Sequence, residues 1–315
     1  MEALKLRPTC KDYLWGGNRL KTEFGKQSEK EIIAESWELS CHPDGISTIA
    51  EGRYRGETLA RYLEEQGKSL LGRNCEQFGN FPLLIKLIDA RKDLSVQVHP
   101  DNAYAMRTEH QQGKTEMWYV VDCESGASLF YGLASEQTKE ELEKHIADGT
   151  ILQVLNRVPV HPGDVFFLEA GTIHAIGSGI LIAEIQQNSN VTYRVYDYDR
   201  TDEQGHKRPL HIQKALDVAC LKPVVPRKRE NHLACCRYFT VDRIKANADV
   251  VIDADDKSFH HLLFLSGKGK LEWNGGELEF IKGDSIFLSS GLGICTVSGN
   301  FEALHTWVPA PLPYG

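Results

Sequence analysis

The stretch HPGDVFFLEAGTIHAI, His161 to Ile176, decides how this chain is read. It has a Gly-Asp turn at Gly163, a short apolar strand, a second glycine at Gly171, then a further apolar strand carrying His174. A similar unit, IKGDSIFLSSGLGICTV (Ile281 to Val297), lies near the C-terminus, with Gly283 placed 120 positions after Gly163. Between and around them most of the chain alternates with period two and is broken by Gly, Asp and Asn, the pattern of an all-β body. Repeated half-barrel patterns predict two small β-barrels. The linker LKPVVPRKREN (Leu221 to Asn231), with two prolines and a basic cluster, divides them into units over 1–225 and 231–315.

Helical periodicity is confined to a few places. GETLARYLEEQGKSLLG (Gly56 to Gly72) has Leu59, Tyr62 and Leu63 at i, i+3, i+4 spacing. Ser135 to Val158 reads as a helical pair inserted in the first unit, with Ser135 or Thr138 as N-cap and Gly149 at the break. His211 to Leu221 is a third, shorter candidate.

Composition narrows the function. The 315 residues carry 41% hydrophobic and 25% charged side chains, ordinary for a folded soluble protein. A net charge of −8 excludes general nucleic-acid affinity, which needs a basic face. The N-terminus lacks the apolar core of a signal peptide, and there is no long apolar run, so a cytoplasmic protein without a membrane span is expected. The eight cysteines lack CxxC spacing and read as reduced thiols, the adjacent Cys235 and Cys236 included. A monomer is expected.

The polar residues gather upstream of His174. In LSVQVHPDNAYA (Leu94 to Ala105), alternation sets Ser95, Gln97 and His99 on one strand face and Leu94, Val96 and Val98 on the other. Pro100 then ends the strand. In GKTEMWYVVD (Gly113 to Asp122), Lys114, Glu116 and Trp118 share a face. Turned inward, Gln97, His99, Glu116 and His174 offer two imidazoles, a carboxylate and an amide oxygen, donors suited to a divalent ion. The second unit has Cys295 near the place of His174, and its adjacent His260 and His261 turn to opposite faces, so no metal is expected there.

Gly163 to His174 matches the second cupin motif, G-x5-P-x-G-x2-H, with Glu169 where proline is usual. The first cupin motif is altered: Gln97 replaces its first His, and Glu116 follows His99 by 17 positions. The segments FPLLIKLIDARKDLSVQVHPDN, GKTEMWYVV, LEAGTIHAI and IAEIQQNSNVTYRVYD resemble the type I mannose-6-phosphate isomerases, zinc-dependent bicupins. The resemblance implies a mainly β fold of two cupin-like jelly-roll barrels with a small helical insertion, and one Zn²⁺ on Gln97, His99, Glu116 and His174. It further implies that Arg194 lies in the active site and that a hexose 6-phosphate is the small-molecule substrate. Two departures are plain. Only 58 positions separate Glu116 from His174, where long members insert a helical domain. Long members also read N-x-x-R-A-G around the arginine, whereas this chain has Tyr193-Arg194-Val195-Tyr196-Asp197.

The implied reaction moves a proton between C1 and C2 of the sugar through an enediol(ate). A metal with one carboxylate and three neutral ligands keeps a net charge near +1, suited to a developing enediolate. Lys86, within FPLLIKLI, cannot be buried unpaired, so it faces the cavity or pairs with Asp89 or Glu116. Ser95 shares the Gln97 face and is a candidate for phosphate or a sugar hydroxyl. Glu184, on the parity of Ile182 and Gln186, is a candidate base whose pKa a closed pocket would raise toward neutrality. Lys114 and a zinc-bound water are its rivals, while Arg194 binds phosphate or stabilises the enediolate. Other readings compete: an iron cupin oxygenase, which Gln97 in place of a histidine disfavours, another metal-dependent cupin sugar-phosphate isomerase, and a non-catalytic bicupin that binds sugars or stores metal.

Overall fold

Strand Leu83–Ala90 is buried along its whole length, so it must be covered on both faces. The computed structural model, which describes residues 1–201, 204–226 and 232–311, places it inside a six-stranded antiparallel sheet. The order is Val165–Leu168, Glu116–Cys123, Ile180–Gln187, Leu83–Ala90, Glu35–Leu39 and Thr9–Lys11. One face sends Leu83, Ile85 and Leu87 into a core shared with Phe239, Phe259 and Phe287 of the C-terminal half. The other sends Ile88, Trp118 and Ile182 against Leu129 and Tyr131 of a five-stranded sheet. That second sheet runs Tyr193–Tyr196, Val96–Val98, His174–Ala175, Ser128–Leu133 and Leu155–Pro159. Its outer face, with Val96, Val98 and Ile173, is covered by Leu142 and Ile146 of one helix and Ala215 and Leu216 of another. The polar residues of interest lie between the six- and five-stranded sheets.

A mainly β body is what the alternation predicts, and it is found. Each sheet, however, runs open from edge to edge, so closed barrels are not formed among the described residues. The division at 225/231 also crosses a sheet. Strands Ala3–Arg7 and Thr48–Ile49 belong to the nine-stranded C-terminal sheet, Ala3–Arg7 pairing with Ser285–Leu288. Residues 227–231 of the linker lie outside the described residues.

The helical pair expected over Ser135 to Val158 is one helix, Lys139–Ala147. Thr138, not Ser135, caps it, in a reciprocal capping box with Glu141. After Gly149 comes a 3-10 turn, Ile151–Gln153, and then strand Leu155–Pro159, which pairs with Ser128–Leu133. Sheet pairing overrides the apolar spacing there. Helices Leu59–Gln66 and Ile212–Val218 fall within their expected ranges. A helix not foreseen, Asn102–Thr108, follows Pro100 and is capped by the Asp101 carboxylate.

In the C-terminal sheet His260 and His261 point to opposite sides. His261 is fully buried, with Nε2 2.8 Å from Ser285 Oγ. His260 stacks on His305, which packs on Trp307. Burial lowers His261 and His305 to about 3 and His260 to about 4. The unfolded chain therefore binds more protons than the folded one below the ordinary histidine value of 6.5. Stability is full above that value and is lost as pH falls toward these folded-state values. Urea midpoints are expected to drop between about pH 7 and pH 4.5, and His261→Gln is expected to flatten that slope. An unchanged slope in the variant would rule His261 out as a contributor.

Candidate active site

Register across the sheets lines up the polar side chains. In the six-stranded sheet Trp37 lies opposite Lys86, Lys86 opposite Glu184, and Glu184 opposite Trp118. Two positions along, Gln186 lies opposite Glu116. Directly opposed residues share a face, so Lys86, Glu184 and Glu116 project together toward the five-stranded sheet. There Gln97 is opposite His174 on one side and Arg194 on the other.

The histidines meet the carboxylate in a defined protonation state. His99 Nδ1 is 2.8 Å from the Val191 carbonyl oxygen, and His174 Nδ1 is 2.8 Å from that of Thr172. A carbonyl oxygen only accepts, so each ring donates from Nδ1 and leaves Nε2 as a bare lone pair. Both Nε2 atoms face Glu116, at 3.4 Å from Oε1 for His174 and 3.7 Å from Oε2 for His99. Glu116 is wholly buried, and neither oxygen accepts a well-directed hydrogen bond. One ligand atom from each of the three lies within 4.8 Å of the others.

Buried acceptors turned toward one another repel unless a cation lies among them. The Lys114 ammonium answers part of that need, 2.6 Å from Glu116 Oε2 and 3.1 Å from His99 Nε2. The Gln97 amide nitrogen is 3.4 Å from His174 Nε2, so a half-turn of the amide would present its oxygen to the same point. This donor set fits a divalent metal: two neutral imidazoles, each oriented by a backbone carbonyl, one carboxylate and one amide.

The two halves match family descriptions of their own. Phosphomannose isomerase type I, catalytic domain, matches residues 3–125, and mannose-6-phosphate isomerase, cupin domain, matches residues 228–307. The mannose-6-phosphate isomerase of Streptococcus mutans is 38% identical over 96% of this chain and 97% of its own length. The ManA mannose-6-phosphate isomerase of Bacillus subtilis is 38% identical over 96% and 98%. The chain belongs to the type I mannose-6-phosphate isomerase family. A crystal structure of the mannose 6-phosphate isomerase from Bacillus subtilis superposes with a TM-score of 0.89 at 34% identity, covering 97% of this chain and 99% of that one. A phosphomannose isomerase from Salmonella typhimurium shares the fold at 17% identity, with a TM-score of 0.77 over 98% of this chain.

This isomerase has a cavity of about 280 Å³ between the two sheets, with Gln97, Lys114 and Glu184 in its wall. Lys86 lines it too, and its partners are Glu184 Oε1 at 3.3 Å and Glu35 Oε2 at 3.6 Å, in place of Asp89 or Glu116. Its ammonium also sits 5.0 Å over the Trp37 ring. Burial works against the Lys86 charge, but Glu35 and Glu184 outweigh it and hold its pKa above the ordinary value. Ser95 and Arg194 line the opposite part of the cavity, with Arg194 Nε donating to Ser95 Oγ at 3.2 Å.

Glu184 faces the cavity, but the expected rise in its pKa is not found. Burial favours protonation, yet Lys114 and Lys86, with the Trp118 indole donating at 2.9 Å, hold it down to about 2. Glu116 is the raised carboxyl, pushed up to about 7 by burial and by the Glu184 charge. His174 is lowered to about 3 and His99 also falls well below the ordinary value, through burial and the Lys114 charge, so both rings are neutral at pH 7. Neutral imidazole is the form that binds metal.

Sequence reasoning missed Glu35, Trp15, Tyr13 and Arg208, all of which line the cavity. For Glu35 a signal exists, since ESWEL alternates and sets Glu35 beside Trp37. Arg208 sits in a loop, where no periodicity points inward.

The cluster is expected to bind one divalent ion per chain, counted by elemental analysis after dialysis. His174→Ala and Glu116→Gln should each cut the retained metal at least about tenfold, the scale that even outer contacts of a site command. Full retention by either variant would remove that residue from the ligand set.

Proposed function

We propose that this chain interconverts mannose 6-phosphate and fructose 6-phosphate through an enediol(ate), with one Zn²⁺ held by Gln97, His99, Glu116 and His174. The observation that carries this reading is the buried His99, Glu116, His174 acceptor cluster beside a cavity whose other part carries Arg194. When bound, zinc supplies a Lewis acid with a net charge near +1 beside the C1 and C2 oxygens. We also read the six- and five-stranded sheets as the two faces of a cupin-like jelly roll.

The protein's own groups divide the remaining work. Glu184 stays ionised and holds the two ammoniums, 3.3 Å from Lys86 and 3.8 Å from Lys114. A carboxylate held near 2 is a weak base. We therefore assign proton transfer to Lys114 Nζ, the amino group nearest the ligand cluster, and give Glu184 the task of orienting it. Lys114 must enter the step as a neutral amine to take the carbon-bound proton and return it as the ammonium. Lys86, fixed by Glu35, Glu184 and the Trp37 ring, offers donors to sugar hydroxyls. Arg194 and Ser95 take the phosphoryl end, where the guanidinium, half-buried in the cavity wall, offers charge-assisted hydrogen bonds to an anion.

The test follows fructose 6-phosphate formation from mannose 6-phosphate before and after chelation, with metal content measured in parallel. Turnover is expected to vanish with the metal and return with Zn²⁺; full activity in metal-free protein would overturn the zinc assignment. Lys114→Met should lower kcat by about 10²–10⁴ while metal content holds, the range of a lost acid–base group. Glu184→Gln should lower kcat by less. Near-normal kcat in the Lys114 variant would move the proton transfer elsewhere.

A further inference from the structure

Just after the Arg194 strand, the backbone makes an unusual turn. Tyr198 and Asp199 both have φ of 55°, successive non-glycine residues in the left-handed region. Such conformations persist where surrounding contacts impose them, and they cluster at working sites. Here the turn folds Arg200 back onto Asp197, with Nη2 donating to Oδ1 at 2.5 Å. Arg208 reaches the same carboxylate from the following loop, Nε donating to Oδ2 at 2.8 Å and Nη2 to Oδ1 at 2.6 Å. Asp197 is buried, so this is a shielded bidentate fork.

The segment carrying Arg208 is also stitched to the Arg194 strand. The His211 amide donates to the Arg194 carbonyl at 2.8 Å, and Arg194 Nη1 donates to the Pro209 carbonyl at 3.1 Å. Arg194 and Arg208 both line the cavity. The fork consumes Nε and one Nη2 proton of Arg208, which leaves its Nη1 edge for a ligand. Arg194 forms no ion pair with a described carboxylate; its side chain bonds only Ser95 Oγ and a backbone carbonyl. Arg200 and Arg208 thus pair with the Asp197 carboxylate, and Arg194 lies within its electrostatic reach, so the three guanidiniums exceed that carboxylate by two positive charges. A phosphate monoester carries roughly −1.5 to −2 at neutral pH.

We propose that Asp197 is a positioning residue that holds Arg208 beside Arg194, so that the two guanidiniums together dock the phosphoryl group of the substrate. The inference rests on reading the chain as a sugar-phosphate isomerase. It replaces a single-arginine anchor with a pre-assembled pair whose geometry is set from behind by a buried carboxylate. The Asp197 charge itself opposes the incoming anion, so its benefit lies in orientation alone.

The experiment measures kcat and KM for mannose 6-phosphate, and inorganic phosphate affinity by calorimetry, in the metal-loaded protein and in Arg208→Gln, Arg208→Lys and Asp197→Asn. Arg208→Gln is expected to raise KM and weaken inorganic phosphate about tenfold or more, with kcat little changed, as loss of charge-assisted hydrogen bonds requires. Arg208→Lys should recover only part of this, because an ammonium lacks the fork. Asp197→Asn should raise KM at least threefold by loosening Arg208, on the same scale of hydrogen-bond loss. Unchanged or lower KM in Asp197→Asn, with folding intact by thermal melt, would show that Asp197 acts only as a repelling charge or a structural link. Unchanged phosphate affinity in Arg208→Gln would remove Arg208 from the anchor. A wild-type protein that binds phosphate but does not turn over mannose 6-phosphate would sink the isomerase reading and leave the anion site standing.

Discussion

Two bare imidazole nitrogens and a buried carboxylate, forced to face one another, are the constraint on which this protein depends. Backbone carbonyls at Val191 and Thr172 hold the rings with Nε2 inward, so the rings cannot turn away without leaving a buried polar group unpaired. Glu116 cannot escape to solvent, being wholly buried. Apart from the Arg194 and Arg208 guanidiniums farther along the cavity, the ion-paired group beside the cluster sets three carboxyl groups (Glu35, Glu116 and Glu184) against two amino groups (Lys86 and Lys114). With Glu116 ionised, as a bound cation would favour, that balance is negative by one charge, and a divalent ion would turn it positive by one. The same step from −1 to +1 makes the floor of the cavity hospitable to an enediol(ate), on the proposed reading.

Register supplies this arrangement at little structural cost. Lys86 and Glu184 are exact cross-strand neighbours, as are Gln97 and His174, so no long side-chain excursions are needed. A slip of one residue in strand Ile180–Gln187 would send Glu184 into the apolar core that takes Ala183 and Ile185. The cost of burying the Glu184 charge there, away from Lys86 and Lys114, opposes that slip. Core and site are therefore specified by the same pairing.

What was legible in the sequence follows from this. Alternation in LSVQVHPDNAYA and GKTEMWYVVD assigned Gln97, His99, Glu116 and Lys114 to the inward face, because a half-buried strand has only two faces to choose from. Lys86 was legible as a paired or cavity-facing charge because solvation was ruled out by its neighbours, although its partners, Glu35 and Glu184, were not. Partners come from strands distant in sequence, and pairing order is not written in any single strand. The pKa of Glu184 was misjudged for the same reason: burial could be foreseen, but two ammoniums converging on one carboxylate could not. Leu155 to Pro159 was misread as helix because its apolar spacing suits either period, and only pairing with Ser128–Leu133 decides. Arg208 and Asp197 stayed hidden because loops carry no periodicity.

The five-stranded sheet also sets the spacing between the metal and phosphoryl positions of the proposed reading. Arg194, Gln97 and His174 occupy three adjacent strands in one row. Successive strands are spaced roughly 4.8 Å apart, so the backbone positions of Arg194 and His174 are separated by about 10 Å. That spacing is imposed by backbone hydrogen bonds, which yield far less than side chains do. On the proposed reading, a metal at His174 and the Arg194 guanidinium, placed closer, would compete for the same oxygens of a sugar phosphate. Placed one strand apart on either side of the neutral Gln97, they can hold opposite ends of one molecule. The amide at the centre of the row is thus suited to its place on two grounds: it can lend an oxygen to the metal, and it adds no charge that would draw the phosphoryl group away from the arginines.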